Sequence, residues 1–157
     1  MPTTTIAPSI NCIRDYNRVA SFFTRGCNAA SPTQYGSTVA IGNVVVSPSE
    51  FMPRLFAENG RLLDSQGRIT LDTPEALRAL ENYRETYSYS DRTIYDFWKN
   101  ALEGFADGTA AMTVVFINYA SHILNSQMSR IAGKLGFAPV PGGKPLLGGG
   151  VIGITQS

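Results

Sequence analysis

Between Phe97 and Ala120 the hydrophobic period changes twice, and this leaves the chain few ways to fold. Phe97, Trp98, Ala101, Leu102 and Phe105 recur at helical spacing, and Asp107-Gly108 supplies a stop where a left-handed residue is wanted. Residues 110–116 then form a short apolar run with a β-branched centre, which predicts a buried strand. Asn118 can cap a second helix whose apolar positions are Ile123, Leu124, Met128 and Ile131, ending at Gly133. Helix, strand, helix in close succession is the spine of an α/β domain.

The rest of the chain supplies elements to surround that spine. Residues 1–10 are rich in Pro and Thr and read as an extended lead-in. A helix follows over residues 12–25, with Ile13, Tyr16, Val19, Ala20 and Phe23 on its apolar face, ending at Gly26. Residues 35–46 alternate and then run apolar, as a strand does, with a possible turn at Gly42-Asn43. Ser47-Pro48-Ser49-Glu50 has the pattern of a capping box, with Ser at N-cap, Pro at N1 and Glu at N3. The helix it starts contains Pro53 and stops at Asn59-Gly60. Residues 61–70, turning through Asp64-Ser65-Gln66-Gly67, predict a small exposed hairpin. Asp72-Thr73-Pro74-Glu75 repeats the capping logic for a helix expected to pack through Leu77, Leu80, and Tyr83 or Tyr87. Short strands are expected over residues 135–140 and 151–155, separated by the glycines at 142–143 and 148–150.

A length of 157 residues fits one domain with a core of reasonable size. The net charge of +1 comes from cations scattered singly among acids, so there is no basic face to neutralise a nucleic-acid backbone. No apolar run approaches the ~20 residues of a membrane span. If residues 12–25 are helical, Cys12 and Cys27 stand on the order of 20 Å apart at ~1.5 Å per residue. A disulfide needs Cα atoms within about 7 Å, so two free thiols are expected.

Catalytic chemistry finds little support. The single histidine, His122, falls on the polar side of the helix after Asn118, with no nucleophile or orienting partner marked by a motif. The carboxylates sit mostly in first turns of helices or in the hairpin, where capping and solvation account for them. The glycine runs lack the Lys-Ser/Thr ending of a phosphate loop and the strand-to-helix setting of a dinucleotide fingerprint, and read as turns or close-approach loops. No enzyme activity, cofactor or metal is expected.

Phe-x-x-Gly-x-Ala-Ala-Met over residues 105–112, with Trp98 ahead of it, resembles the signature of extracellular solute-binding proteins of ABC importers, in their sugar-binding, maltose-binding-protein-like branch. Further similar landmarks follow in the family's order: Ala20-Ser21-Phe22-Phe23-Thr24, Tyr35-Gly36, residues 56–64, Asp72-Thr73-Pro74-Glu75-Ala76, residues 137–142 and Gly148-Gly149-Gly150. The family's Thr-Trp pair is replaced by Cys12 and Ile13, and its tryptophan near 116–119 is absent. The resemblance implies one lobe of a type II periplasmic-binding-protein fold, a small mixed sheet flanked by helices. Because the family is two-lobed and more than twice as long, residues 1–157 would be a single, partial second lobe. The segment would lack the leader and the lipid-anchoring cysteine of extracytoplasmic relatives.

The implied function is capture of a solute, a carbohydrate above all, between this lobe and a missing one, for delivery to an ABC permease. The alternative is a sensor or protein-interaction module that shares the fold. Sugar recognition asks for fixed hydrogen-bond partners beside flat aromatic surfaces. The resemblance places Phe116, Asn118 and Tyr119 at such a turn, although Asn118 can equally be a helix cap. Trp98 is either a core anchor or a sugar platform, and Ser47 and Glu50 either cap a helix or reach the ligand. Gly149 and Gly150 are candidates for close backbone approach to it. An apolar surface left by missing segments would allow the chain to dimerise.

Overall fold

The computed structural model describes residues 10–41, 46–93 and 98–148. The lead-in at 1–9, the possible turn at Gly42-Asn43, Gly149, Gly150 and the strand expected at 151–155 lie outside the described residues. In chain order the elements are α1 (Ile13–Phe22), β1 (Tyr35–Ser37), α2 (Val46–Ala57) and α3 (Pro74–Ser88). A π-helical segment, Trp98–Glu103, then runs into the short α4 (Gly104–Ala106), followed by β2 (Ala110–Met112), a 3₁₀ turn (Ile117–Tyr119) and α5 (Ala120–Leu124).

Among the described residues the sheet is a parallel pair, β1 beside β2, with Tyr35 opposite Ala110 and Ser37 opposite Met112. Pairing continues past the strand ends: Thr38 N–H donates to the Met112 carbonyl at 3.0 Å, and the Thr38 and Thr113 hydroxyls meet at 2.6 Å. The expected mixed sheet is thus purely parallel here, and parallel strands need covered faces. Helix α1 lies so close to β1 that a Cβ on Gly36 would stand 1.7 Å from the Ala20 carbonyl oxygen.

The core lies where α2 and α3 meet. Leu55, Ala76 and Ala79 are its centre, with Phe51 and Met52 packed against them. Helix α3 starts as expected, with Pro74 at its first turn and the Thr73 hydroxyl accepting from Ala76 N–H at 3.3 Å. Tyr83 is buried as expected, but it shares the inward face with Ala76, Ala79, Asn82 and Thr86, while Leu77 and Leu80 are 58% and 55% exposed. Small residues let α2 approach. The polar ones are satisfied by α1, since Asn17 Oδ1 accepts from the Thr86 hydroxyl at 2.7 Å and Asn17 Nδ2 donates to the Asn82 carbonyl at 3.3 Å.

Local stop signals behave as their chemistry dictates. Helix α2 ends in a Schellman motif: Asn59 adopts φ 63°, Gly60 N–H donates to the Leu55 carbonyl at 2.9 Å, and Asn59 N–H to that of Phe56 at 3.0 Å. Gly108 takes φ 77° after α4. The hairpin forms around an antiparallel bridge between Leu63 and Ile69. Cys12 and Cys27 are both free and exposed.

Further expectations are corrected, beginning with the strand expected over residues 35–46, which among the described residues is Tyr35–Ser37 alone. The strand begun at Ala110 ends at Met112, and residues 113–116 are half-buried without strand pairing. The helix expected over 118–133 stops at Leu124, because Asn125 leaves helical geometry and its side chain accepts from Gln127 N–H at 2.9 Å. Arg130 N–H then bonds the Ala106 carbonyl at 2.9 Å, drawing the chain back onto α4. Residues 135–140 form no strand, consistent with Pro139 and the following Pro141 having no N–H to donate. Finally, α2 begins at Val46, so Ser47 stands inside the first turn rather than ahead of it.

Candidate ligand site

In open parallel sheets, ligands bind outside the carboxyl ends of the strands, where the following segments diverge. Here β1 leads towards α2, which carries Ser47 and Glu50, and β2 leads to the turn carrying Phe116, Asn118 and Tyr119. Parallel pairing puts both exits at one end of the sheet, held together by the Thr38–Thr113 hydroxyl contact. The Thr113 hydroxyl also donates to the Ala101 carbonyl at 3.1 Å, which ties the π-helical segment to the same region. The backbone of Trp98 opens that segment; its side chain lies outside the described residues.

Phe116 is half-buried, Asn118 exposed and Tyr119 half-buried. Asn118 caps neither helical start, since the 3₁₀ turn is led by Phe116 and α5 by Tyr119, both without a side-chain cap. Gly148 lies against the Phe116 ring: a Cβ there would be 2.7 Å from Phe116 Cε1. The glycine-bearing loop therefore reaches the turn as far as it is described. Ile117, between the two aromatics, is 82% exposed.

Glu50 is arranged otherwise. It is only 7% exposed, with one carboxylate oxygen accepting from Ala40 N–H at 3.2 Å and the other from Arg54 Nη1 at 2.9 Å. A cavity of about 410 Å³ lies at the opposite end of α2, lined by Phe56, Asn59, Gly60, Arg61 and Lys144, and includes none of the candidate residues. Lys144 is tied to the Asn59 side chain there, which docks the loop on the helix end. Among the described residues no group of three or more His, Cys, Asp or Glu side chains could hold a metal ion.

No protein-family model matches the chain. In sequence it is 27% identical over 97 residues to YcjN of Escherichia coli K12, described as an ABC transporter periplasmic-binding protein, across 62% of this chain and 21% of that one. In structure it superposes with TM-score 0.72 and 23% identity on an ABC transporter solute-binding protein from Agrobacterium radiobacter K84, solved in complex with ribitol. The match covers 85% of this chain and 33% of that one. This is the fold of a solute-binding-protein lobe. The chain spans about a fifth of the length of YcjN and a third of that of the structural neighbour.

Within the lobe, the residues that sequence reasoning missed are the buried polar ones. Tyr83 donates to the Ala40 carbonyl at 3.0 Å, and Arg54 stacks over its ring at 5.0 Å from the centroid. Burial pushes the Tyr83 phenol up to about 12, with the Glu50 charge acting the same way and Arg54 and the Ser47 hydroxyl opposing. Tyr16 is likewise pushed up to about 12 by burial, against the pull of its 2.6 Å bond to the Ser37 hydroxyl. The one signal available for the first group was Glu50 followed by Arg54 at i,i+4. Nothing in the sequence marks that pair as buried.

Proposed function

We propose that this chain is one lobe of an extracytoplasmic solute-binding protein that holds a neutral, hydroxyl-rich solute, a sugar or sugar alcohol, against a second lobe and hands it unaltered to an ABC permease. The observation that carries the reading is that sequence and fold lead independently to the same kind of protein, YcjN by residues and the ribitol-bound receptor by shape. The chemistry of the sheet edge agrees. Phe116, Asn118 and Tyr119 offer a ring, an amide and a phenol without a net charge, which suits hydroxyls and C–H faces rather than ions.

The solute contacts proposed for this lobe are Phe116, Asn118, Tyr119 and Trp98, with the glycine loop, including Gly149 and Gly150, lying close to the guest. Ser47 belongs to the same edge. Half of a two-lobed site is an open face, so affinity for the solute needs the facing lobe and closure about a hinge. The test is thermal denaturation of the natural protein containing this chain, with ribitol, related polyols and monosaccharides at millimolar excess. A rise in melting temperature of several degrees with one of them is expected, since ligand at about a hundredfold its Kd stabilises by ~2.7 kcal/mol. Asn118→Ala and Tyr119→Ala should diminish it. No response to any polyol or sugar, with a response to amino acids or peptides, rejects the assignment.

A further inference from the structure

Ala40, just beyond β1, has both backbone polar groups taken up by side chains from two different helices. Its N–H donates to Glu50 of α2 and its carbonyl accepts from Tyr83 of α3. Glu50 is paired with Arg54, and Arg54 lies over the Tyr83 ring, so the four residues close a ring. All are buried, with exposures of 1% for Ala40, 7% for Glu50, 4% for Arg54 and 8% for Tyr83. Arg54 also donates back to the Glu50 carbonyl.

Such a pair is a poor stabiliser. Taking a carboxylate and a guanidinium out of water costs about as much as their attraction returns, and an apolar pair of equal volume does as well or better. Arg54 adds to the cost, because its buried Nε has no hydrogen-bond partner among the described residues. What the ring does achieve is geometric. It fixes one peptide at the end of β1 from two directions, on the edge where the solute contacts are proposed.

We propose that Glu50, Arg54 and Tyr83 are positioning residues of the solute site. They lock the Ala40 peptide, and with it the first turn of α2 that bears Ser47, against the sheet edge, and do not touch the solute. The proposal rests on the solute-binding reading for its consequence, while the lock itself can be measured without ligand.

The test uses two paired variants. Glu50→Met with Arg54→Met removes both charges together, leaving no orphaned ion. Glu50→Gln with Arg54→Met keeps an amide oxygen for the Ala40 N–H. Amide exchange at Ala40, melting temperature and ribitol affinity are compared in the natural protein containing this chain. In the first variant Ala40 should exchange at least about tenfold faster, as a buried donor losing its acceptor requires, and ribitol affinity should fall by about tenfold. Its melting temperature should stay within a few degrees of wild type, and the Gln variant should recover both exchange and affinity. If the first variant does not fold, Tyr83→Phe removes the hydroxyl that donates to the Ala40 carbonyl and meets the Ser47 hydroxyl, and should speed Ala40 exchange and weaken ribitol binding several-fold. Wild-type exchange and affinity in the variants, or losses that follow melting temperature rather than the acceptor, overturn the proposal. A wild-type protein indifferent to ribitol, other polyols and monosaccharides defeats the solute-binding reading alone, and Ala40 exchange still decides the lock.

Discussion

Gly36 stands where α1 crosses β1 at backbone distance. Its missing Cβ is what allows α1 to lie on β1, with the Ala20 carbonyl 1.7 Å from where that carbon would be. The obstructing atoms are backbone, and that backbone is held: the Thr24 hydroxyl donates to the same carbonyl at 2.8 Å and accepts from Gly36 N–H at 3.0 Å. A methyl group cannot be accommodated by rotating a side chain. Gly36→Ala should therefore cost at least about 3 kcal/mol or prevent folding, measured by urea unfolding. Gly26→Ala, where nothing lies within 4 Å, is the matched control and should shift stability by less than about 1 kcal/mol. The sequence marks Gly26 as a helix end and Gly36 as a strand residue, but not that α1 lies at backbone distance from Gly36, which tertiary packing decides.

At the level of elements, the start of α3 and the stops of α2 and α4 were legible, and the buried face of α3 was not. Thr73, Asn59 and Gly108 act on backbone groups within a few residues of themselves, so their roles survive any tertiary arrangement. The inward face of α3 depends on what α1 and α2 present to it. Asn17 supplies partners for Asn82 and Thr86, which makes a polar stripe buriable and leaves Leu77 and Leu80 outside. Exposed leucines are common, so an amphipathic pattern points only one way. Leu77→Gln and Leu80→Gln should each change unfolding free energy by no more than about 0.5 kcal/mol. Leu55→Ala, at the fully buried α2–α3 contact, should cost about 2–5 kcal/mol by the same measurement. The helix foreseen through residue 133 failed for the same reason as the α3 face. Asn125 turns the chain locally, but the Ala106 carbonyl that receives Arg130 is set by α4.

The whole molecule has an alkaline limit written into two phenols. Tyr16 and Tyr83 both stand at about 12, because burial penalises the phenolate. Unfolded, each ionises near pH 10. Their contribution to stability is therefore complete below about pH 10 and is lost as pH rises towards 12, where the unfolded chain releases protons that the folded one retains. Denaturant midpoints should fall over that interval, and tyrosinate absorbance should rise late for these two in the native protein. Tyr16→Phe should flatten part of the fall. Of the candidate site, the sequence disclosed the 116–119 turn and the 47–50 segment as element ends, by local pattern and by family resemblance. It did not disclose that Glu50 faces inward, since that follows from Ala40 and Tyr83 arriving from two other elements.

The pairing of Tyr35 with Ala110 also governs when this protein can come into being. A ribosome that has released β1 has still to make α2, α3 and the π-helical segment before β1 finds its neighbour, and contacts so distant along the chain form slowly. Until then, among the described residues, the early strand has no neighbour and offers an edge to other nascent chains. Synthesis that stalls or is cut between these points leaves an aggregation-prone remnant instead of a smaller folded unit, so chaperone dependence should track the delay in delivering Ala110–Met112.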